Sequence, residues 1–274
     1  MLHCGKFKLD LSRPLIMGIV NATPDSFSDG GQHLGRDAAL AHAQQLVAEG
    51  ADMLDIGGES TRPGARPVSI QEEMDRVLPI IGELRDAAVP ISIDTFKPEV
   101  MLAAIAAGAQ MVNDINALQD AASLNAVASS NVAVCLMHKQ GNPKTMQELP
   151  VYQNVVAEVG AFLSERIAAA EAAGIQRDRI VIDPGFGFGK TLAHNLALLR
   201  ELNRLTELGV PVLAGLSRKS MLGALTGQEV SQRLPASVAA ALIAVQRGAN
   251  IVRVHDVRAT VDALKVLNAV NGVG

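Results

Sequence analysis

Eight short apolar runs alternate with Ala/Leu-rich segments of helical length along this chain. Runs this short, bounded by glycine, proline or polar turns, are typical of parallel strands that are buried on both faces. Several of the helical segments also end at a glycine, which is a common helix stop. Eight strand–helix units predict an α/β fold of the (β/α)8 TIM-barrel type. The runs occupy residues 15–20, 52–57, 89–94, 109–114, 131–137, 179–183, 210–215 and 250–255, and the terminal glycines are Gly50, Gly108, Gly174, Gly209 and Gly248.

A doubly wound open sheet is the alternative fold, but it usually has fewer strands and a nucleotide-binding first turn, which this sequence lacks. No linker-like or low-complexity segment divides the 274 residues, so we expect a single domain over residues 1–274. The first fourteen residues are expected to form a short N-terminal hairpin that closes the bottom of the barrel.

Composition excludes several classes of function. The hydrophobic fraction is 49%, but aromatic residues make up only 3%, which favours an aliphatic core of strands covered by helices. A net charge of −4 gives no electrostatic reason to expect nucleic acid or an anionic membrane as a partner. Cys4 and Cys135 have neither disulfide-framework nor zinc-site spacing. With no signal sequence and no window of membrane-spanning length, the predicted location is the cytoplasm.

Each predicted strand ends in polar residues, and in a TIM barrel the loops after the strands meet at the active-site face. Asp94, Asn113 and Asp183 could each be a helix cap, but as a set they suit a planar heterocycle rich in N–H donors. The full set of strand-end residues is Asn21, Glu59, Asp94, Asn113 with Asp114, His138, Asp183, Ser217 to Lys219, and Arg253 with His255.

Two further patterns indicate how a ligand is held. Arg253 and His255 lie two residues apart, so on a strand both point to the same side, and with Asn21 they suit an anionic or phosphorylated group. The segment "IDPGFGFGK" at 182–190 matches neither a phosphate-binding loop nor a dinucleotide fingerprint. Its glycines permit close backbone approach, and Phe186 and Phe188 are expected to face a flat ligand.

Taken together, these segments resemble the dihydropteroate synthase family. The resemblance spans residues 16–257, and it departs from the family at Lys139, where a methionine is common, and at Ala22. The matching segments are "GIVNATPDSFSDGG", "DIGGESTRPGA", "ISIDTFKPEV", "VNDIN", "LMHKQGNPKTMQ", "IDPGFGFGKTLAHNL", "GLSRKSMLG" and "RVHDV".

The resemblance implies a (β/α)8 enzyme of folate synthesis that joins 7,8-dihydropterin-6-ylmethyl diphosphate to 4-aminobenzoate. The products are 7,8-dihydropteroate and pyrophosphate, formed by a cation-forming substitution at the pterin methylene. Mg2+ is the implied cofactor, bound through Asn21, and the loops at 22–35 and 59–64 would close over the barrel mouth. A homodimer is also implied, and the apolar segment at 235–246 is the candidate face.

The resemblance also assigns site residues. Lys219 would reach the pterin carbonyl and a ring nitrogen, Arg253 would stack over the ring, and Asn21 would help to hold the diphosphate. The implied catalytic residues are Asn21, Lys219, Arg253 and His255. The implied pterin-diphosphate residues are Thr61, Asp94, Asn113, Asp183, Lys219, Arg253 and His255. The implied 4-aminobenzoate residues are Thr61, Arg62, Pro63, Phe188 and Ser217.

Two alternatives remain open from sequence. A pterin-binding methyltransferase domain shares the barrel and an acid-lined pterin pocket, but the "SRK" and "STRPG" segments count against it. A non-catalytic paralogue that binds pterin without turnover is separated from the enzyme only by an assay.

Overall fold

The structure is a computed structural model that describes residues 1–22, 31–60, 66–141 and 150–272, with side chains for all of these except 31–34. The described strands are β1 (Leu2–Cys4), β2 (Phe7–Leu9), β3 (Leu15–Asn21), β4 (Met53–Gly57), β5 (Ile91–Asp94), β6 (Met111–Asp114), β7 (Ala133–Met137), β8 (Ile180–Asp183), β9 (Leu213–Ala214) and β10 (Ile251–Val254). The described helices are α1 (Gly31–Ala48), α2 (Ile70–Leu84), α3 (Pro98–Ala107), α4 (Ala121–Ala128), α5 (Val155–Ala172), α6 (Leu192–Arg200), α7 (Asn203–Thr206), α8 (Ser220–Thr226), α9 (Leu234–Gln246) and α10 (Val257–Asn271).

Strands β3 to β10 form one parallel sheet in the order β8-β7-β6-β5-β4-β3-β10-β9. A parallel bridge between Ile182 and Val212 joins the two ends of this sheet, so the barrel is nearly closed. Each of the eight predicted runs coincides with one of these strands to within two or three residues at either end, which confirms the TIM-barrel prediction.

The helix boundaries follow local sequence signals. Ser69, Asp120 and Asn154 each accept a backbone N–H at the start of a helix, as N-cap residues do. All five glycines predicted to stop helices have positive φ, from 71° at Gly209 to 121° at Gly108. Within the described ranges, no helix is both long and apolar enough to span a membrane.

Alternate residues of each barrel strand face opposite sides and build two cores. One set, which includes Val20, Ile56 and Val112, lies in the cluster that packs against the surrounding helices. The other set points into the barrel, where its lower layer forms a second cluster with Leu2 and Cys4 of the antiparallel hairpin β1–β2. The hairpin therefore closes the bottom of the barrel, as predicted.

The inward-facing positions change from apolar to polar toward the carboxyl ends of the strands. Two residues beyond an apolar residue of the lower layer, the same face of the strand carries a charged or amide side chain. The pairs are Met53 and Asp55, Met111 and Asn113, Val181 and Asp183, and Ile251 and Arg253. The upper interior of the barrel is thus a polar pocket above an apolar floor.

Candidate active site

Arg253 forms the centre of a polar network at the top of the barrel. Its Nε donates to Asp55 Oδ2 at 2.6 Å, and its Nη2 donates to Asp94 Oδ2 at 2.8 Å. Asn113 Nδ2 donates to the same Asp55 oxygen at 3.0 Å. Four side chains from β4, β5, β6 and β10 are therefore held in one hydrogen-bonded cluster.

The charges in this network follow from its burial. Burial raises the pKa of Asp94 to about 7, against the influence of Arg253 and with that of the neighbouring Asp55 carboxylate. Burial alone would lower the pKa of Arg253, but Asp55 and Asp94 raise it above its ordinary value. Arg253 therefore remains a cation, whereas Asp94 can exchange a proton near neutral pH.

Asp183 and Lys219 lie near each other at the mouth, and each influences the charge of the other. Burial raises the pKa of Asp183, and Lys219 opposes that shift. Burial lowers the pKa of Lys219 to about 8, and Asp183 opposes that shift, so the ammonium form predominates at pH 7. Lys219 Nζ also donates to the Phe186 carbonyl oxygen and lies 4.8 Å from the centroid of the Phe188 ring.

The glycine-rich loop after β8 is anchored by the buried Lys190. Its Nζ lies 3.0 Å from His138 Nδ1 and donates to the carbonyl oxygens of Gly185 at 2.9 Å and Phe188 at 3.1 Å. Burial lowers the pKa of Lys190 to about 7 and that of His138 to about 3. Gly185 has φ of 67°, and a Cβ there would overlap the His138 carbonyl oxygen, so glycine is required.

The prediction that both phenylalanines of this loop face a ligand is wrong for Phe186. Its side chain is 0% exposed and belongs to the core between barrel and helices. Phe188 is partly exposed beside Lys219 and stays a candidate ligand contact. The physical reason is that the loop turns its first phenylalanine inward to cover the apolar strands, and only its backbone carbonyl meets Lys219.

Ser217 and His255 contact each other at the carboxyl ends of the strands. Ser217 Oγ lies 2.9 Å from His255 Nδ1 and accepts the His255 backbone N–H at 3.2 Å. Arg253 and His255 are two residues apart at the end of β10, so they follow the same inward-facing pattern.

Asn21 is exposed at the carboxyl end of β3, next to the end of β4, because Ala22 N donates to the Gly57 carbonyl oxygen. Thr61, Arg62 and Pro63, together with residues 23–30, lie outside the described residues. The predicted closing loops therefore stay predictions.

Three strand-end residues have structural partners instead of facing the mouth. Glu59 Oε2 accepts from Lys97 Nζ at 2.7 Å, and Asp114 accepts the backbone N–H groups of Asn116 and Leu118 at 2.8 Å. His138 contacts Lys190, as described above. These side chains shape the loops around the site.

Sequence reasoning missed Asp55, which is fully buried and contacts both Arg253 and Asn113. It lies within the apolar run at 52–57, not at the end of that run. The signal that could have found it is the alternation Met53, Asp55, Gly57, which puts a carboxylate on the inward face of a buried strand.

Comparisons with known proteins agree with this geometry. A family model described as pterin binding enzyme matches residues 17–255. Dihydropteroate synthase of Neisseria meningitidis serogroup B is 54% identical over 274 residues, covering 97% of this chain and 96% of the relative.

Two solved structures are similar over nearly the whole chain. Xanthomonas albilineans dihydropteroate synthase with 4-aminobenzoic acid has a TM-score of 0.92 and 60% identity, covering 97% of this chain and 96% of the other. Burkholderia cenocepacia dihydropteroate synthase complexed with 7,8-dihydropteroate has a TM-score of 0.90 and 51% identity, with coverage of 99% and 96%. The chain is a pterin-binding enzyme and belongs to the dihydropteroate synthase family.

Proposed function

We propose that this enzyme condenses 7,8-dihydropterin-6-ylmethyl diphosphate with 4-aminobenzoate to give 7,8-dihydropteroate and pyrophosphate. The observation that carries the proposal is one polar pocket in which hydrogen-bond acceptors and two cations converge above an apolar floor. Asp94, Asn113 and Asp183 supply the acceptors, and Lys219 and Arg253 supply the positive charge. The similarity to an enzyme complexed with 7,8-dihydropteroate supports the same reaction here.

The pterin is assigned to the pocket between the Arg253 network and the neighbouring Asp183 and Lys219. Asp183 accepts from the amino-pyrimidine edge, and Asp94 and Asn113 accept from the remaining ring N–H groups. Lys219 donates to the pterin carbonyl and a ring nitrogen, and Arg253 stacks over the ring. This assignment matches each ligand donor with an acceptor and each ligand acceptor with a cation.

The 4-aminobenzoate is assigned to the rim beside Lys219. Phe188 offers a partly exposed aromatic ring, and Ser217 offers a hydroxyl beside His255. Thr61, Arg62 and Pro63 would complete this border from the loop after β4. The ring of the substrate would then lie with its amine toward the pterin methylene.

The reaction is a substitution at that methylene. Its C–O bond breaks, both electrons leave with the diphosphate, and the pterin ring nitrogens stabilise the resulting cation. The lone pair of the arylamine forms the new C–N bond, and the nitrogen then releases one proton to water. Because an arylamine is unprotonated at neutral pH, the site needs no strong general base, and Arg253 and His255 stabilise the departing charge.

Asn21 is the proposed protein ligand for Mg2+. Its exposed amide oxygen is a hard donor at the mouth, and in the parts of the chain that the structure covers no group of three His, Cys, Asp or Glu could hold a metal alone. Diphosphate oxygens and water would complete the coordination, as is common for Mg2+. When bound there, the ion would supply positive charge to the leaving group.

Activity is expected to disappear in excess chelator and to return when Mg2+ is added. Asn21→Ala should raise the Mg2+ concentration needed for half-maximal rate, because one oxygen ligand is lost. Asn131→Ala, at the opposite end of the barrel before β7, is the matched control. It should need the same Mg2+ concentration as the parent for half-maximal rate. Full activity in excess chelator would overturn the metal assignment.

The assembly proposed for the enzyme is a homodimer that uses the α8–α9 surface. Leu225, Val230, Leu234 and Ile243 expose between 41% and 52% of their surface along these adjoining segments. Burying such an apolar strip against a second copy removes it from water.

Ile243→Glu should convert the dimer to monomer in sedimentation velocity, because it places a charge in an apolar interface. Val266→Glu on α10 is the control, since Val266 is 66% exposed on a different helix. A parent protein that sediments as a monomer at micromolar concentration would contradict the assembly.

The reaction itself is tested by product identification. Incubation with both substrates and Mg2+ should give dihydropteroate and pyrophosphate in equal amounts, measured by mass spectrometry and a coupled pyrophosphate assay. Omission of 4-aminobenzoate should leave no dihydropteroate. Tight pterin binding without product would identify a non-catalytic paralogue.

A further inference from the structure

The turn between β9 and α8 carries an arginine in an unfavourable conformation. Residues 216–219 form a β-turn in which the Lys219 backbone N–H donates to the Leu216 carbonyl oxygen at 3.3 Å. Arg218 is the third residue of that turn and has φ of 58°. Positive φ at this position is normally taken by glycine or asparagine, because a larger side chain is disfavoured there. Some other interaction must hold Arg218 in this state.

Arg218 has three tertiary contacts that do so. Its guanidinium pairs with both carboxylate oxygens of Asp256, Nη2 to Oδ1 at 2.5 Å and Nε to Oδ2 at 3.1 Å. Its backbone N–H donates to Ser237 Oγ at 2.9 Å, and its carbonyl oxygen accepts from Arg233 Nη1 at 3.1 Å. The side-chain pair is partly shielded, with Asp256 14% exposed.

Asp256 is used unusually in this arrangement. It is the N-cap residue of α10, where aspartate normally accepts a backbone N–H of the first turn, but its side chain makes no such hydrogen bond. Its carboxylate is committed to Arg218 instead. The position matters because Asp256 directly follows His255, so the ion pair joins the 216–219 turn to the end of β10.

The two residues that flank Arg218 both face the mouth. Ser217 contacts His255, and Lys219 contacts the Phe186 carbonyl oxygen and lies over the Phe188 ring. We infer that Arg218 is a positioning residue. Its ion pair with Asp256 holds Arg218 in the left-handed conformation, and this keeps the side chains of Ser217 and Lys219 in place relative to His255. This inference rests on the proposed function, because it takes Lys219 and His255 as substrate-binding groups.

The first test compares two Asp→Asn changes on the same helix. Asp256→Asn should lower kcat/KM about tenfold, the change that corresponds to about 1.4 kcal/mol. Asp262→Asn is the matched control, because Asp262 pairs with Arg258 on the exposed face of α10 and lies away from the turn. It should keep the parent's kcat/KM. Equal kcat/KM for the two variants would overturn the inference.

The second test uses glycine as a conformational rescue. Arg218→Gly can adopt positive φ without cost, whereas Arg218→Ala cannot, so the glycine variant should retain several times the activity of the alanine variant. Adding Asp256→Asn to Arg218→Gly should cause no further loss, because the ion pair is already absent. Equal losses for glycine and alanine, with Asp256→Asn fully active, would instead assign Arg218 a direct substrate contact.

The affinity for dihydropterin diphosphate, measured by calorimetry in the absence of turnover, should rank the variants in the same order as their activities do. If the parent binds this ligand but forms no dihydropteroate, the proposed reaction fails while the affinity ranking still tests the positioning role. Circular dichroism of each variant verifies that it is folded, and the glycine–alanine comparison remains decisive if Asp256→Asn does not fold.

Discussion

Asp183→Asn is expected to weaken binding of dihydropterin diphosphate about a hundredfold or more while leaving the protein folded. Asp183 Oδ1 accepts the Gly185 backbone N–H at 2.7 Å. An asparagine would keep that bond through its own Oδ1, so its NH2 group would face the mouth. There it would meet the Lys219 ammonium and the N–H donors of the pterin, so that donor would face donor.

The size of the effect follows from two losses. A hydrogen bond to a charged group contributes about 1.5–3 kcal/mol, and an unpaired buried donor costs about 1–3 kcal/mol. At about 1.4 kcal/mol per tenfold change, the combined loss is about a hundredfold or more. Asp183 is only 5% exposed, so the substitution lies at a buried position of the strand end. The fold should still persist, because asparagine has the same size and keeps the Gly185 contact.

Calorimetry with dihydropterin diphosphate measures this change directly. Asp178→Asn is the control, because Asp178 precedes the same strand at the bottom of the barrel and pairs with the partly exposed His3. It should bind like the parent. An Asp183→Asn protein that is folded by circular dichroism and binds within threefold of the parent would make Asp183 only an anchor for the glycine-rich loop.

Arg253→Met is expected to abolish turnover and to lower the free energy of unfolding by about 3–5 kcal/mol at pH 8, the usual cost of removing one partner from a buried ion pair. Methionine replaces much of the volume but leaves the carboxylates of Asp55 and Asp94 without a cation. The guanidinium also stabilises the departing diphosphate in the proposed reaction, so activity and stability should fall together.

The stability loss should be smaller at lower pH. Burial already raises the pKa of Asp94 to about 7, with Asp55, Glu73 and Asp114 acting in the same direction and Arg253 against it. Without Arg253 that pKa rises further above the value of about 3.9 in the unfolded chain. As the pH falls from 8 to 5, both folded proteins bind a proton that the unfolded chain does not yet bind. The variant, whose Asp94 has the higher pKa, gains more stability from this than the parent does, so the difference between them becomes smaller.

Urea unfolding at pH 8 and pH 5 checks both statements. Arg247→Met is the control, because Arg247 is exposed at the end of α9. The free energy of unfolding of this variant should be close to that of the parent at both pH values. If Arg253→Met loses the same free energy of unfolding at both pH values, the carboxylates of Asp55 and Asp94 are not left buried without a cation.

The barrel could be predicted because its signals are local. Each strand is a short apolar run, and each helix end has a cap such as Ser69 or a glycine with positive φ such as Gly108. Those signals depend on neighbouring residues, and the repeated strand–helix order then leaves few topologies. The strand-end residues Asp94, Asn113 and Asp183 could be named for the same reason.

The parts that could not be predicted depend on contacts between distant residues. Asp55 and Arg253 are 198 positions apart, and only closure of the barrel brings them together. Phe186 and Phe188 have nearly identical sequence neighbours, yet the loop buries the first and leaves the second beside Lys219. The left-handed Arg218 depends on Asp256, which a local reading takes for an ordinary helix cap.

A single-turnover experiment tests the central claim, that this pocket binds the pterin and converts it. Enzyme in excess is mixed with dihydropterin diphosphate, 4-aminobenzoate and Mg2+, and pyrophosphate and dihydropteroate are followed in the same sample. Both products should appear in equal amounts with the parent, and neither should appear with Arg253→Met. Pterin binding by the parent with neither product would contradict the claim.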